Sequence, residues 1–386
     1  MSAPKLEVIG LTKEYKDGAV IAVDNIGFAV ESGETLALLG PSGCGKSTTL
    51  NMIVGLEQPS SGDIRIDGRS VIDVPAGRRD IGLVFQDYAV FTSMSVRENL
   101  AFGLKIRKTD KAVIAREVGK IAEFLDLWDC LDVKAAHLSG SEQQRVAIGR
   151  TLATKPSLLL LDEPLSNLEA SIRPVVRREL RRLQQELHLS IIYVTHDQTE
   201  ALSLADRVAI MSYGKIIQVE ETLRIVERPG HVQVAQFLGE PPMNILRGRL
   251  ADAEGGVAFV CAGFTVLFPD CSLPEQVRER GPNKQYALGF RAEDLRLISP
   301  EQGQWQGEIL EVEIRGADAV VNLNFRGNPL KSVLPGEFRA KSGPADPELL
   351  RNGCLAGLAL EPENIVIFDA DSNLRLESAL VRGSAV

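Results

Sequence analysis

Positive charge is in deficit in this chain: 43 Lys and Arg stand against 52 Asp and Glu, a net charge of −9. A phosphate backbone is held by concentrated Lys and Arg, so an electrostatically driven nucleic-acid partner is disfavoured. Long apolar runs are missing too. No uncharged stretch approaches the roughly 18 residues a spanning helix needs, and the N-terminus carries no basic segment followed by an apolar one. The expectation is a soluble chain, cytoplasmic by default. Cysteine is sparse. The 5 residues Cys44, Cys130, Cys261, Cys271 and Cys354 are odd in number, and no pair has metal-ligand spacing. Neither a disulfide framework nor zinc is supported, and free thiols are expected.

What is present is a globular composition, 44% hydrophobic and 25% charged, in 386 residues. That length exceeds what one hydrophobic core usually serves, so two domains are expected. Up to about Leu238, short apolar runs alternate with amphipathic stretches: Thr35 to Leu39, Asp80 to Phe85, Leu158 to Leu161, Ile191 to Val194 and Val208 to Met211. This alternation predicts an α/β layered domain over residues 1–238. Charged residues at helical spacing from Val96 to Asp132 predict a helical subdomain inserted at about 87–157. From Gly239-Glu240-Pro241-Pro242 onward the texture changes to period-two runs, among them Tyr286 to Phe290, Gly307 to Ile314, Ala319 to Asn324 and Asn364 to Phe368. Residues 239–386 are therefore expected to form a small barrel or sandwich.

Chemistry enters at Gly40-Pro41-Ser42-Gly43-Cys44-Gly45-Lys46-Ser47, which fits G-x-x-x-x-G-K-[ST] and follows a buried strand. Its glycines let successive N–H groups curl toward phosphate oxygens, and the next helix, Lys46 to Gly55, turns its positive end to the same anion. Lys46 supplies a point charge and Ser47 a magnesium ligand. Cys44 stands at the start of that helix, where a thiolate would be stabilised and alkylation would block the nucleotide. The run Leu158 to Leu161 ends in Asp162-Glu163. An acid at such a strand end reaches magnesium opposite Ser47, and Glu163 is placed to orient or deprotonate the water attacking a γ-phosphate.

Three further segments complete a pattern: Val84-Phe85-Gln86-Asp87, Leu138-Ser139-Gly140-Ser141-Glu142-Gln143-Gln144-Arg145, and Tyr193-Val194-Thr195-His196-Asp197. With these in order, the α/β part of the chain resembles the ATP-binding cassette family of transport ATPases. The resemblance implies a phosphate-loop NTPase cassette that binds ATP and Mg2+. Thr48 joins residues 40–47 in nucleotide binding, Gln86 ligands magnesium and senses the γ-phosphate, and His196 holds the attack geometry. Tyr15 corresponds to the aromatic that stacks on adenine, with a half-buried strand tyrosine as the competing reading. The family also implies a second ATPase subunit, each signature segment completing the partner's nucleotide site.

The signature departs from the family's L-S-G-G-Q, with Ser141 for the second glycine and Glu142 for the glutamine. Two readings stand. In one, a side chain and a negative charge are brought toward phosphate, weakening hydrolysis. In the other, Ser139 and Glu142 form a capping box that keeps the carboxylate on its own helix. Glu169 departs from the family's aspartate in a loop that also acts across the dimer, leaving homodimer and heterodimer both open.

Gln86 to Phe91, Val96 to Asn99, Pro241-Pro242-Met243-Asn244 and Leu288-Gly289-Phe290-Arg291-Ala292-Glu293-Asp294 are similar to the ATPases of carbohydrate and polyol importers. That group implies an oligonucleotide-binding-like barrel at the C-terminus, used for dimerisation and regulation. It implies two membrane permeases docking near Gln86 to Lys105, an external solute-binding protein, and a peripheral place on the cytoplasmic face of the plasma membrane. Polyamine, ferric iron and oxyanion importers have related tails and are the alternative. Non-transport cassettes usually carry tandem phosphate loops or coiled-coil insertions, neither of which is found here.

Overall fold

A strand that is apolar on both faces must be covered on both, and the runs predicted to be buried strands lie side by side in one parallel sheet. The computed structural model describes residues 3–16, 18–254, 256–261, 264–269, 284–336 and 351–376. Cys271 lies outside them. The chain divides into two compact units, Met1–Ile225 and Val226–Val386.

In chain order the first unit contains β1 (Leu6–Tyr15), β2 (Val20–Val30), β3 (Thr35–Leu39), α1 (Lys46–Val54), β4 (Ser61–Ile66), β5 (Arg69–Ser70) and β6 (Ile81–Val84). There follow α2 (Val96–Ile106), α3 (Lys111–Phe124), α4 (Gly140–Leu152), β7 (Leu158–Asp162), α5 (Arg173–Leu187), β8 (Ile191–Thr195), α6 (Gln198–Leu204), β9 (Arg207–Ser212) and β10 (Lys215–Glu221). The main sheet has the order β10-β9-β3-β8-β7-β6. Only β10 runs antiparallel to its neighbour. Leu39 pairs with Thr195, Asp162 with Val194, and Val84 with Leu161, so the C-terminal ends of β3, β8, β7 and β6 form one edge. In open parallel sheets that edge is where ligands bind.

A second sheet, β2-β1-β4-β5, is antiparallel and was not legible in the sequence. Its strands look polar in places (Lys13 and Glu14 in β1), and the β1 to β2 pairing shifts register between Val8 and Leu11 and again at Lys13. Each bulge breaks the period-two pattern that marks a strand. Its inward side chains, Leu6, Val8, Leu11, Val23 and Ile26, share one core with Leu36, Leu50 and Ile53 of β3 and α1.

Helix α1 follows the phosphate loop, and the end of that helix is fixed by a distant side chain. Buried Arg79 donates from Nη1 to the carbonyls of Met52 and Ile53, 2.8 Å each, and from Nε to Val74 at 2.8 Å. Met52 and Ile53 lie in the last turn of α1, whose carbonyls lack the usual intrahelical donors, and Met52 also accepts the Gly55 N–H of the C-cap at 3.2 Å. Arg79→Met is expected to cost roughly 2–3 kcal/mol, because several buried acceptors lose a charged donor at once. A denaturant titration reads this directly, and an unshifted midpoint contradicts it.

The second unit is mostly strand: β11 (Asn244–Ala253), β12 (Gly256–Cys261), β13 (Phe264–Pro269), β14 (Gln285–Phe290), β15 (Arg296–Ile298), β16 (Trp305–Arg315), β17 (Asp318–Phe325), β18 (Asn328–Leu334), β19 (Leu355–Ala359) and β20 (Val366–Asp369). They form two five-stranded sheets, β13-β12-β11-β14-β20 and β15-β19-β16-β17-β18, whose pairings are all antiparallel. Leu246, Phe259 and Tyr286 of the first sheet and Ile309, Val321 and Leu358 of the second belong to one apolar core.

Candidate nucleotide site

The loop after β3 is shaped by backbone crowding. A Cβ on Gly40 would lie 2.1 Å from the Met211 carbonyl oxygen on β9, a distance no side chain tolerates. Gly45 is the N-cap of α1 at φ 107°, and its Cβ would meet the Ala22 carbonyl at 2.5 Å. Two glycines thus let the loop sit tightly against β9 of the main sheet and β2 of the second. Pro41, Ser42 and Gly43 are exposed at its crest, Ser47 is exposed and Thr48 half-buried in the first turn of α1. That turn carries no acidic residue, so the positive helix end is uncompensated.

Lys46 is buried, and its ammonium donates to the carbonyls of Gly40 at 2.8 Å and Pro41 at 3.1 Å. The charge is held against the loop itself. Cys44 behaves otherwise than its place before the helix predicted. It is buried beneath the loop, and burial pushes its thiol up, outweighing the Lys46 charge. The activated thiolate is therefore corrected to an inert core thiol.

Asp162 ends β7 with its Oδ1 buried and without a hydrogen-bond partner. Burial and the neighbouring Glu163 raise its pKa, against the opposing pull of Lys46 and the Ser47 hydroxyl. A buried, unpaired carboxylate oxygen beside a serine hydroxyl is a hard-oxygen donor set of the kind magnesium takes. The residues present fit that ion.

Glu163 has a left-handed backbone, φ 45°, the kind of strain that survives only when neighbours enforce it. Here its N–H donates to the Val194 carbonyl at 2.9 Å and its carbonyl accepts from Ser166 Oγ at 2.9 Å. The carboxylate Oε2 lies 3.1 Å from Nδ1 of His196, whose side chain is 53% exposed. Two adjacent strands, β7 and β8, thus present an acid and an imidazole to each other at the common edge.

Gln86 follows β6 at that same edge and is exposed. Its carbonyl accepts from Asn167 Nδ2 at 2.8 Å. Tyr88 and Ala89 both have left-handed backbones, φ 61° and 45°, and Arg150 of α4 donates to the Ala89 carbonyl at 2.6 Å and the Tyr88 carbonyl at 3.4 Å. The Tyr88 hydroxyl is buried without a partner, and burial pushes its pKa up to about 12. Sequence reasoning assigned Arg150 and Asn167 no part in holding this loop, since nothing in their local pattern distinguishes them.

The remaining candidates lie off the sheet edge. Tyr15 ends β1 and is 37% exposed, with the Lys13 ammonium 5.0 Å from its ring centroid. Exposed Ser139 and Gly140 start α4, and the capping box is present: Ser139 Oγ accepts from the Glu142 N–H, while Glu142 Oε2 accepts from the Ser139 N–H at 2.7 Å. The Ser139 hydroxyl also reaches Glu142 Oε2 at 2.7 Å and Ser141 Oγ at 3.3 Å. These bonds from Ser139 hold the Glu142 carboxyl below its usual range. The carboxylate is engaged on its own helix.

A family model described as "ABC transporter" matches residues 23–166. An sn-glycerol-3-phosphate import ATP-binding protein of Rhizobium johnstonii is 37% identical over 380 residues, 98% of each chain. The chain belongs to the ABC transporter ATPase family. A xylose/arabinose import ATP-binding protein of Haloferax volcanii is 40% identical to this ATPase over 88% of the chain and 89% of its own length. A trehalose/maltose import ATP-binding protein of Thermococcus litoralis is 39% identical over 91% of this chain and 94% of its own length. Among solved structures, cbiO1 of Clostridium perfringens, part of an ABC transporter complex, aligns with a TM-score of 0.55 at 31% identity. The alignment covers 58% of this ATPase and 91% of that chain. The fold includes that of an ABC ATPase, and among the described residues no helix is long and apolar enough to cross a membrane.

Proposed function

We propose that this ATPase energises an importer of a sugar, a polyol or a related small solute. The observation that carries the ATP-hydrolysing part of the reading is the convergence, at one sheet edge, of the buried Lys46, the unpaired Asp162 Oδ1 and the Glu163–His196 pair. The ATP phosphates rest on residues 40–48, with Lys46 as their point charge, and Tyr15 stacks on adenine. Ser47, Gln86 and Asp162 hold magnesium, which when bound neutralises charge on the phosphates. Glu163 takes a proton from, or orients, the attacking water, and His196 keeps that carboxylate and the γ-phosphate in register. Residues 139–142 act in trans on a second ATPase subunit's nucleotide.

The remaining parts follow from the importer reading. Two permeases dock near residues 86–105, an external binding protein delivers solute, and this subunit sits peripherally on the cytoplasmic face of the plasma membrane. Residues 239–386 serve as an oligonucleotide-binding-like barrel for dimerisation and regulation, without nucleic acid. The sugar class is supported by the names of the relatives and by their nearly full-length alignment.

The test is the ATPase rate of the purified chain over a concentration series, beside the double variant Ser141→Gly plus Glu142→Gln. Because the capping box already engages Glu142, little change on reversion is expected; second-order dependence on the protein identifies a homodimer. Activity only with a second ATPase subunit of the same host identifies a heterodimer. In the intact host, deleting the chain is expected to abolish uptake of one sugar or polyol. Uptake unchanged across a panel of both classes overturns the substrate class.

A further inference from the structure

We infer that Glu200 is a positioning residue for His196, acting through the Thr195 hydroxyl; the inference rests on Glu163 and His196 being the hydrolytic pair. Glu200 lies in the first turn of α6 and is 3% exposed. Its Oε2 accepts from two hydroxyls of β8, Tyr193 Oη at 3.0 Å and Thr195 Oγ1 at 2.9 Å. Both donors are buried. Thr195 Oγ1, having donated its proton to Glu200, accepts the Asp197 N–H at 3.0 Å. Asp197 closes the ring as the N-cap of α6, its Oδ1 accepting the Glu200 N–H at 3.2 Å.

This ring encloses one residue. His196 is flanked by Thr195 and Asp197, and both flanks are tied to Glu200, so its backbone has little freedom while its side chain remains outside, against Glu163. A buried carboxyl is a costly way to stiffen a turn, since burial raises its pKa and an apolar side chain would fill the space at lower cost. What an apolar residue does not provide is one acceptor that two strand hydroxyls share. Of the residues lining the adjoining cleft, Glu163, Asp197 and Glu200 are acids and Arg173 is the permanent cation, 4.0 Å from Asp197. Of these acids it is Glu163 that meets the imidazole, at 3.1 Å, and that single contact depends on where the backbone around His196 is held.

A network serving only stability shifts Tm; one that positions His196 also changes kcat while leaving KM for ATP alone, because residues 40–48 and Tyr15, which carry most of the nucleotide contacts, are untouched. With the full-length chain in the assembly that hydrolyses ATP, Thr195→Val is expected to lower kcat about 10- to 100-fold. Thr195→Ser, which restores the hydroxyl, returns it. Glu200→Gln keeps a carbonyl acceptor for both hydroxyls and stays near wild type, whereas Glu200→Ala follows Thr195→Val. If Glu200→Ala does not fold, the Val and Ser variants at 195 carry the comparison. Combined with His196→Ala, Thr195→Val adds no further loss, since both remove the same placement. An unimpaired Thr195→Val beside a slow His196→Ala overturns this inference alone, as does full additivity. An unimpaired His196→Ala removes the hydrolytic pair and this inference with it.

Discussion

Glu163→Gln keeps nucleotide affinity and loses turnover by about 10²- to 10⁴-fold, the range set by a positioned general base. The substitution is nearly isosteric, so the strained backbone at Glu163 and its anchors to Val194 and Ser166 are undisturbed. What disappears is the basic oxygen, Oε2, that lies against His196 Nδ1. Lys46 and Ser47 are untouched, so a fluorescent ATP analogue should titrate as with wild type while phosphate release nearly stops. Since kcat falls without loss of binding, the missing interaction is one made in the transition state. A rate equal to wild type removes Glu163 from catalysis, whatever its geometry.

The parts of this chain legible in its sequence are those in which function and local structure share one contiguous stretch. The phosphate loop announces itself because Gly40, Gly45 and Lys46 must be consecutive with β3 and α1. The apolar runs of β3, β7 and β8 signal strands because the parallel sheet buries them on both sides. The Ser139 and Glu142 capping box was legible for the same reason: its partners stand three residues apart on one helix. Contacts between distant segments left no such mark. Arg79 reaches the end of α1, Arg150 reaches Tyr88 and Ala89, and Asn167 reaches Gln86, each across a separation that periodicity does not register. Cys44 was misjudged because a sequence gives position along the helix and not depth: the thiol faces the core, where desolvation outweighs the nearby ammonium.

Lys46→Ala is expected to weaken ATP binding by about 2–3 kcal/mol, roughly 30- to 150-fold in Kd, the worth of one charge-assisted hydrogen bond removed from a buried site. The ammonium already lies over the Gly40 and Pro41 carbonyls, inside the loop that phosphates would fill, so little reorganisation is needed to engage an anion. The same burial complicates the measurement, because deleting the side chain takes the ammonium from the Gly40 carbonyl, leaves the Pro41 carbonyl only the Cys44 N–H, and perturbs the loop itself. Lys46→Met separates the effects: it restores most of the volume and none of the charge. If charge dominates, Met binds ATP as poorly as Ala while recovering Tm. If the loop's shape dominates, Met recovers affinity along with Tm. Affinity undiminished in both variants means that the phosphates do not rest on this loop, and the nucleotide site must then be sought away from the common edge of β3, β7 and β8.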